Sequence, residues 1–174
     1  MSIPLYLWLL PPTPVHERFA ALIDRLSRRM GTPRFIPHIT LMGSLHSPYD
    51  EVVRRTADLA ATLAPIPIRL AGIGCTDQYY RCLFMRAERS RELLAAHEAA
   101  CARFGRSPES DFMPHLSLIY GDLLQDQKNP IVQEIGANFD AAFYANRIGL
   151  CRLDGSPEQW QLPHTFTLTG RSET

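Results

Sequence analysis

Seven residues of this chain occur twice in kind. Phe35-Ile36-Pro37-His38-Ile39-Thr40-Leu41 is matched later by Phe112-Met113-Pro114-His115-Leu116-Ser117-Leu118, and both read aromatic, apolar, proline, histidine, apolar, hydroxyl, apolar. A β-strand turns successive side chains to opposite faces. Ile39 and Leu41 therefore face one way and His38 and Thr40 the other, and Leu116 and Leu118 stand in the same relation to His115 and Ser117. In each copy the apolar pair wants burial, and the polar pair is left to solvent or to a cleft. Residues two apart on one face sit roughly 7 Å apart along the strand, so an imidazole and a hydroxyl can address one small group together.

Two such units supply the parts for phosphoester cleavage by acid–base catalysis. One histidine accepts a proton from the attacking oxygen while the other donates one to the leaving oxygen. A free imidazole titrates near pH ~6.5, so both forms are accessible at neutral pH. The Thr40 and Ser117 hydroxyls are candidates to donate hydrogen bonds to the non-bridging phosphate oxygens as charge develops there. A lone histidine in an apolar strand is more often structural, and the chain carries its own control. His16, His46 and His97 are followed two places on by Arg18, Pro48 and Ala99, and His164 has Phe166 where the hydroxyl should stand.

The paired motifs resemble the 2H phosphoesterase superfamily, which is defined by two His-x-Thr/Ser-x tetrads. Pro33-Arg34-Phe35-Ile36-Pro37-His38-Ile39-Thr40 and Met113-Pro114-His115-Leu116-Ser117-Leu118-Ile119-Tyr120 are similar to its cyclic phosphodiesterase branch. So, more loosely, are Tyr6-Leu7-Trp8, Tyr79-Tyr80-Arg81-Cys82, Leu150-Cys151-Arg152 and Trp160. The resemblance implies that His38 and His115 are the acid–base pair and that Thr40 and Ser117 are the phosphate donors. It implies a substrate-binding role for Tyr120 and a base-stacking role for Tyr80. The implied reaction is metal-independent opening of 2′,3′-cyclic phosphates of nucleotides, or of ADP-ribose 1″,2″-cyclic phosphate, to the 2′- or 1″-phosphate, with no cofactor. Tyr120 lies three residues beyond Ser117, so ideal alternation puts it on the wrong face unless a bend or bulge before Gly121 re-aims it.

Composition narrows the partners. Eighteen basic residues balance eighteen acidic ones, so the overall field expected of a long nucleic-acid binder is missing. A small cyclic-phosphate nucleotide is the expected substrate, with short RNA ends as the second choice. Arg34 and Arg81 are candidates to add positive charge to the groove, and solvated surface arginines are the plain alternative. Cys75, Cys82, Cys101 and Cys151 form no Cys-x-x-Cys and no zinc-like Cys/His spacing, and no third ligand offers itself beside His38 and His115. The apolar run Ile3 to Leu10 lacks a basic leader, contains Pro4 and is too short to span a bilayer. It reads as a buried strand of a cytoplasmic monomer.

In order, the chain reads as strand Leu5–Leu10, then a helix capped by Thr13 with Pro14 at its first position and a stripe of Val15, Phe19, Leu22, Ile23, Leu26 and Met30. Strand 36–43 follows. A helix opens at Ser47-Pro48-Tyr49-Asp50 and runs to Leu63. Strands 66–75 and 79–86 are joined by Thr76-Asp77-Gln78. Helix 90–104 carries His97 on its buried stripe, as a core-edge histidine. After the second tetrad strand come a short helix opened by Asn129-Pro130, strands 141–153 and 159–169, and a frayed tail from Arg171. The cadence repeats after half the chain, in register with the tetrads. It implies an α+β fold of residues 1–174 as one bilobal domain, with two antiparallel β-sheets related by a pseudo-twofold around a central groove and helices outside. The weighed alternatives are an RNA-end enzyme acting on 2′,3′-cyclic termini or 2′–5′ linkages, and a non-catalytic nucleotide-binding module.

Overall fold

The computed structural model describes residues 4–136 and 139–171. The expected tail falls largely outside the described residues. The elements are β1 (Leu5–Leu9), α1 (Thr13–Met30), β2 (Ile39–Leu45), α2 (Tyr49–Thr62), β3 (Ile66–Cys75), β4 (Leu83–Ala87), α3 (Arg91–Arg103), β5 (His115–Ile119), α4 (Gln125–Gly136), β6 (Ala141–Ala145), β7 (Arg147–Arg152) and β8 (Gln161–Thr167). The α+β class and the antiparallel pairing match the expectation.

The strands run in the order β6-β3-β4-β5-β2-β1-β7-β8, with every neighbouring pair antiparallel. Two four-stranded halves, β2-β1-β7-β8 and β5-β4-β3-β6, repeat the same layout outward from the middle. They meet where Ile39 pairs with Leu116, one residue from each tetrad. The two expected sheets are thus joined into one curled sheet along the seam that holds both motifs. The strand–helix–strand unit β1-α1-β2 has its counterpart in β4-α3-β5. The chain crosses between halves after β2 and again after β6. The helices are exchanged as well: α1 packs on β5, and α3 packs on β2 and β3.

Burial fixes the register of the seam. Ile39, Leu41, Leu116 and Leu118 are each fully buried in the main core. Their burial contributes roughly 6–12 kcal/mol in all, an upper estimate. A one-residue slip would expose all four and drive both histidines into the core. An antiparallel register centred on Ile39 and Leu116 sets His38 across from Ser117 and Thr40 across from His115, all on the opposite face. Trp8 pairs with Thr40, and Phe84 with Ser117, which brings both rings to that same face.

α1 buries Phe19, Leu22, Ile23 and Leu26, three or four residues apart, and ends on Gly31 in the left-handed region at φ 67°. Several boundaries differ from expectation. Thr13 and Tyr49 are the first helical residues, after Pro12 and Pro48, and no side chain caps either helix. The expected strand 79–86 begins only at Leu83, because Tyr79–Arg81 form a single 3₁₀ turn held by Arg81 N–H donating to Gln78 O (2.9 Å) and Thr76 Oγ1 donating to Arg81 O (2.8 Å). α4 starts at Gln125 and carries Pro130 inside it, stabilised by burial of Ile131 and Ile135, with the buried Lys128 ammonium bonded to Thr76 O and Asp77 Oδ1. The expected strand 141–153 is two strands divided at Asn146; β6 pairs with β3 and β7 with β1. No helix among the described residues is long and apolar enough to cross a membrane.

Candidate active site

A cavity of about 530 Å³ opens on the polar face of the seam, and His38, Thr40, His115, Ser117, Tyr80 and Tyr120 all line it. The six side chains expected to form the site thus come to one place. The two histidines are held in the same way. His38 Nδ1–H donates to Ile36 O at 2.6 Å, and His115 Nδ1–H donates to Met113 O at 2.9 Å. A carbonyl oxygen can only accept, so the proton of each neutral ring sits on Nδ1 and each Nε2 presents a lone pair. The intervening Pro37 and Pro114 explain the repeat. Each fixes its own φ and keeps the preceding residue extended, which holds that residue's carbonyl beside the ring two places on.

The two imidazoles differ in cover. Trp8, almost wholly buried, lies flat on His38 with ring centroids 3.6 Å apart and an interplanar angle of 10°. Burial brings the pKa of His38 down to about 3, against the opposing pull of its bond to Ile36 and with a further push downward from His115. His115 is half-buried, with Phe84 tilted against it at 5.0 Å. Burial lowers its pKa too, opposed by the bond to Met113 and assisted by the Arg81 guanidinium. Near neutral pH both rings of the free site are therefore uncharged, because taking either charge out of water costs more than the carbonyl bond returns.

Ser117 Oγ donates to Tyr80 O at 3.3 Å, so the hydroxyl of the second tetrad rests on the turn that carries Tyr80. Lys128, the only lysine of the sequence, reaches that turn from α4. Its buried ammonium donates to Thr76 O and to Asp77 Oδ1, each at 3.0 Å. Tyr80 is 56% exposed at the cavity mouth. Tyr120 lies just past the end of β5 and is buried, stacked on Phe35 at 3.8 Å. The β4–β5 register shifts between the pairs Leu83–Ile119 and Phe84–Ser117, an irregularity that breaks simple alternation just before Tyr120 and lets it face the cavity. Gly121 N–H then donates to Tyr79 O at 3.0 Å. Of the two arginines considered, Arg81 lines the cavity, whereas Arg34 is exposed and pairs with Asp24 at 3.1 Å and with Glu158.

Two other cavity residues were given no role in the site by the sequence, although Trp160 is part of the looser resemblance. Trp160 lines the cavity from the segment before β8. His97, expected as a core-edge residue, is buried with both ring nitrogens engaged. Its Nδ1–H donates to Leu41 O at 2.8 Å, and its Nε2 accepts from Glu109 N–H at 3.4 Å. The ring stacks on Phe112 at 3.8 Å and 3°. One side chain of α3 thus touches the last residue of the first heptapeptide and the first residue of the second. The only hint was its place on the helix stripe; its partners are distant in sequence. Among the described residues, no group of three or more His, Cys, Asp or Glu is arranged to hold a metal ion, and all four cysteines are free.

A family model described as the 2'-5' RNA ligase superfamily matches residues 11–157. The chain is 28% identical over 152 residues to the Cyclic phosphodiesterase of Arabidopsis thaliana, covering 84% of this chain and 83% of that protein. Among solved structures, it resembles TT0787 of Thermus thermophilus with a TM-score of 0.71 at 19% identity, covering 98% of this chain and all of the other. It also resembles E. coli LigT, crystallised in complex with NADP+, with a TM-score of 0.63 at 14% identity over 96% of this chain and 98% of that one.

Proposed function

The chain belongs to the 2′-5′ RNA ligase superfamily, the 2H phosphoesterases, and from that membership we propose that it is a metal-independent cyclic phosphodiesterase. Its substrates in this reading are 2′,3′-cyclic phosphates of nucleotides or ADP-ribose 1″,2″-cyclic phosphate, opened to the 2′- or 1″-phosphate. The observation that carries it is the mirrored pair of Nδ1–H bonds, which leaves two Nε2 lone pairs in one cavity with a hydroxyl beside each. The Arabidopsis relative bears the name of this activity.

The chemistry follows from that arrangement. A water oxygen attacks phosphorus in line with the ribose oxygen that will leave. One Nε2 takes a proton from the water as the new P–O bond forms. The other imidazole, protonated in the substrate complex, gives its proton to the departing oxygen as the ring P–O bond breaks. Each group in such a role is worth about 10²–10⁴-fold. Thr40 and Ser117 donate to the two non-bridging oxygens, Ser117 by turning from Tyr80 O. A positioned donor of this kind contributes about 10²–10³ in kcat. The acid's proton enters with the substrate, since an anion between the rings raises the pKa of either imidazole.

A second reading, an enzyme of 2′,3′-cyclic RNA ends or 2′–5′ linkages, draws on the family's description. The absence of net charge weighs against it. The deciding experiment is hydrolysis of 2′,3′-cyclic AMP in excess EDTA, with product isomers resolved by chromatography and rates compared on a cyclic-ended oligonucleotide. Turnover of the mononucleotide to the 2′-phosphate is expected. Loss of wild-type activity in EDTA would point to metal catalysis, and preference for the oligomer to the second reading.

A further inference from the structure

Lys128 is fully buried, on the stripe of α4 that also buries Ile131 and Ile135. An ammonium out of water is costly unless it is bonded, and an apolar side chain would pack there without that cost. The reason for a lysine therefore lies in its bonds. Both run to the segment between β3 and β4, to Thr76 O and to the Asp77 carboxylate, which pairs the charge as well.

From Thr76 the contacts continue to the cavity. Thr76 Oγ1 accepts from Gln78 N–H at 3.2 Å and donates to Arg81 O at 2.8 Å. Arg81 lines the cavity that holds both tetrads, close enough to His115 for its charge to act on that imidazole. Among the described residues its guanidinium has no ion-pair partner. The side chain is long and exposed, so the place its charge reaches depends on where the turn holds its backbone. From the β5 side the turn is held by Ser117 Oγ on Tyr80 O and by Gly121 N–H on Tyr79 O. Ser117 gives up its bond when it turns to the phosphate. The hold from Lys128 is not spent in that way.

We propose that Arg81 takes the negative charge of the substrate phosphate on the side of the second tetrad, and that Lys128, acting through Thr76, is its positioning residue. This rests on the phosphodiester chemistry proposed above. A guanidinium on a phosphate oxygen makes a stronger bond than a neutral donor, and its planar fork has to be aimed. The bonds from Lys128 to Thr76 O and from Thr76 Oγ1 to Arg81 O fix the root of that side chain and leave its end free for the ligand. Lys128 itself touches neither the substrate nor a tetrad histidine; its effect passes through Arg81.

The test is a pair of double-variant cycles on 2′,3′-cyclic AMP, Arg81→Gln with Lys128→Met and Arg81→Gln with Thr76→Val. A hydrogen bond to a charged group is typically worth about 10–150-fold, so Arg81→Gln is expected to lower kcat/KM by about tenfold or more. Lys128→Met and Thr76→Val are each expected to lower it about fivefold or more alone, and by less than about twofold in the Arg81→Gln background. A lysine that only supports the fold would act by the same factor in both backgrounds. That result overturns the proposal, as does undiminished kcat/KM in Arg81→Gln or in Lys128→Met. Thr76→Val leaves α4 and the ammonium in place, so its cycle decides should Lys128→Met fail to fold. Should the wild type not turn over the nucleotide, the proposed function fails, and the same cycles are read on calorimetric affinity for inorganic phosphate. Coupled weakening there supports the link from Lys128 to Arg81, and independent weakening, or none, overturns it.

Discussion

The indole of Trp8 lies on the imidazole of His38, centroids 3.6 Å apart and planes within 10° of parallel. Trp8 comes from β1 and pairs in register with Thr40, so the neighbouring strand of the same half supplies the cover for the first tetrad. That cover is what buries His38 and keeps it neutral. Replacing Trp8 with leucine keeps the strand apolar while admitting water to the ring. The His38 titration followed by NMR is expected to move up from about 3 toward the ordinary histidine value, with a fall in kcat of about tenfold or more, because about 1 Å of lost positioning alone costs about 10²-fold. An unmoved titration would show that Trp8 is not the residue that desolvates His38.

Stability should depend on pH through the same residue. His38 has a folded-state pKa of about 3, below the ordinary histidine value of 6.5. Between those values the unfolded chain binds a proton that the folded chain refuses. Stability is therefore full above pH 6.5, falls as pH falls through the window, and loses nothing further from this group below about 3. The slope from one such group approaches about 1.4 kcal/mol per pH unit inside the window. His115 is lowered as well and acts in the same direction. In urea unfolding, His38→Gln is expected to be less sensitive to acid than wild type between about pH 6 and about pH 4.5, inside that window. Parallel curves would show that His38 is not held neutral by the fold.

Proton uptake on ligand binding follows from two uncharged imidazoles. Phosphate or 2′-AMP bound between His38 and His115 should carry roughly one proton into the site at about pH 7, since an opposite charge at about 4–6 Å favours the charged imidazole. Calorimetric titration in buffers of different ionisation enthalpy reads this directly. Binding heats independent of the buffer would contradict it.

His97 links the two motifs, with its Nδ1–H on Leu41 O and its ring on Phe112. Substituting leucine leaves the Leu41 carbonyl and the Glu109 N–H without their partner, at a cost of about 1–3 kcal/mol for each group that stays buried. The expected outcome is a lower unfolding midpoint together with a fall in kcat larger than the change in KM, since both tetrads lose a shared support. Wild-type stability in His97→Leu would show that these contacts contribute nothing net.

How much of this was legible depended on the range of the physics involved. The tetrads were legible because alternation along a strand is local: His38 falls on one face with Thr40, and His115 with Ser117, whatever the strands pair with. Two sheet halves followed from the duplication, but their union at Ile39 and Leu116 did not, because pairing between distant strands leaves no mark on either alone. Alternation also ran unbroken through Asn146, where no glycine or proline signals that β6 and β7 pair with opposite halves of the sheet. Tyr79 and Tyr80 favour strands by type, yet side-chain bonds from Thr76, Ser117 and Lys128 fasten the segment as a turn. Asn129-Pro130 reads as a helix start, and burial of Ile131 and Ile135 outweighs it. His97 and Trp160 owe their places to partners far away in sequence, which no local pattern reports.

The central claim is that His38 and His115 act on one phosphorus atom in one step. The most direct measurement is kcat on 2′,3′-cyclic AMP in EDTA for His38→Ala, His115→Ala and the double variant. Each single change is expected to lower kcat by about 10²–10⁴. Because each proton transfer is of little use without the other, the double variant is expected to be no more than a few-fold slower than the slower single, as for groups that work as a unit. A double variant slowed by the full product of the two single losses, or either single variant with undiminished turnover, would contradict it.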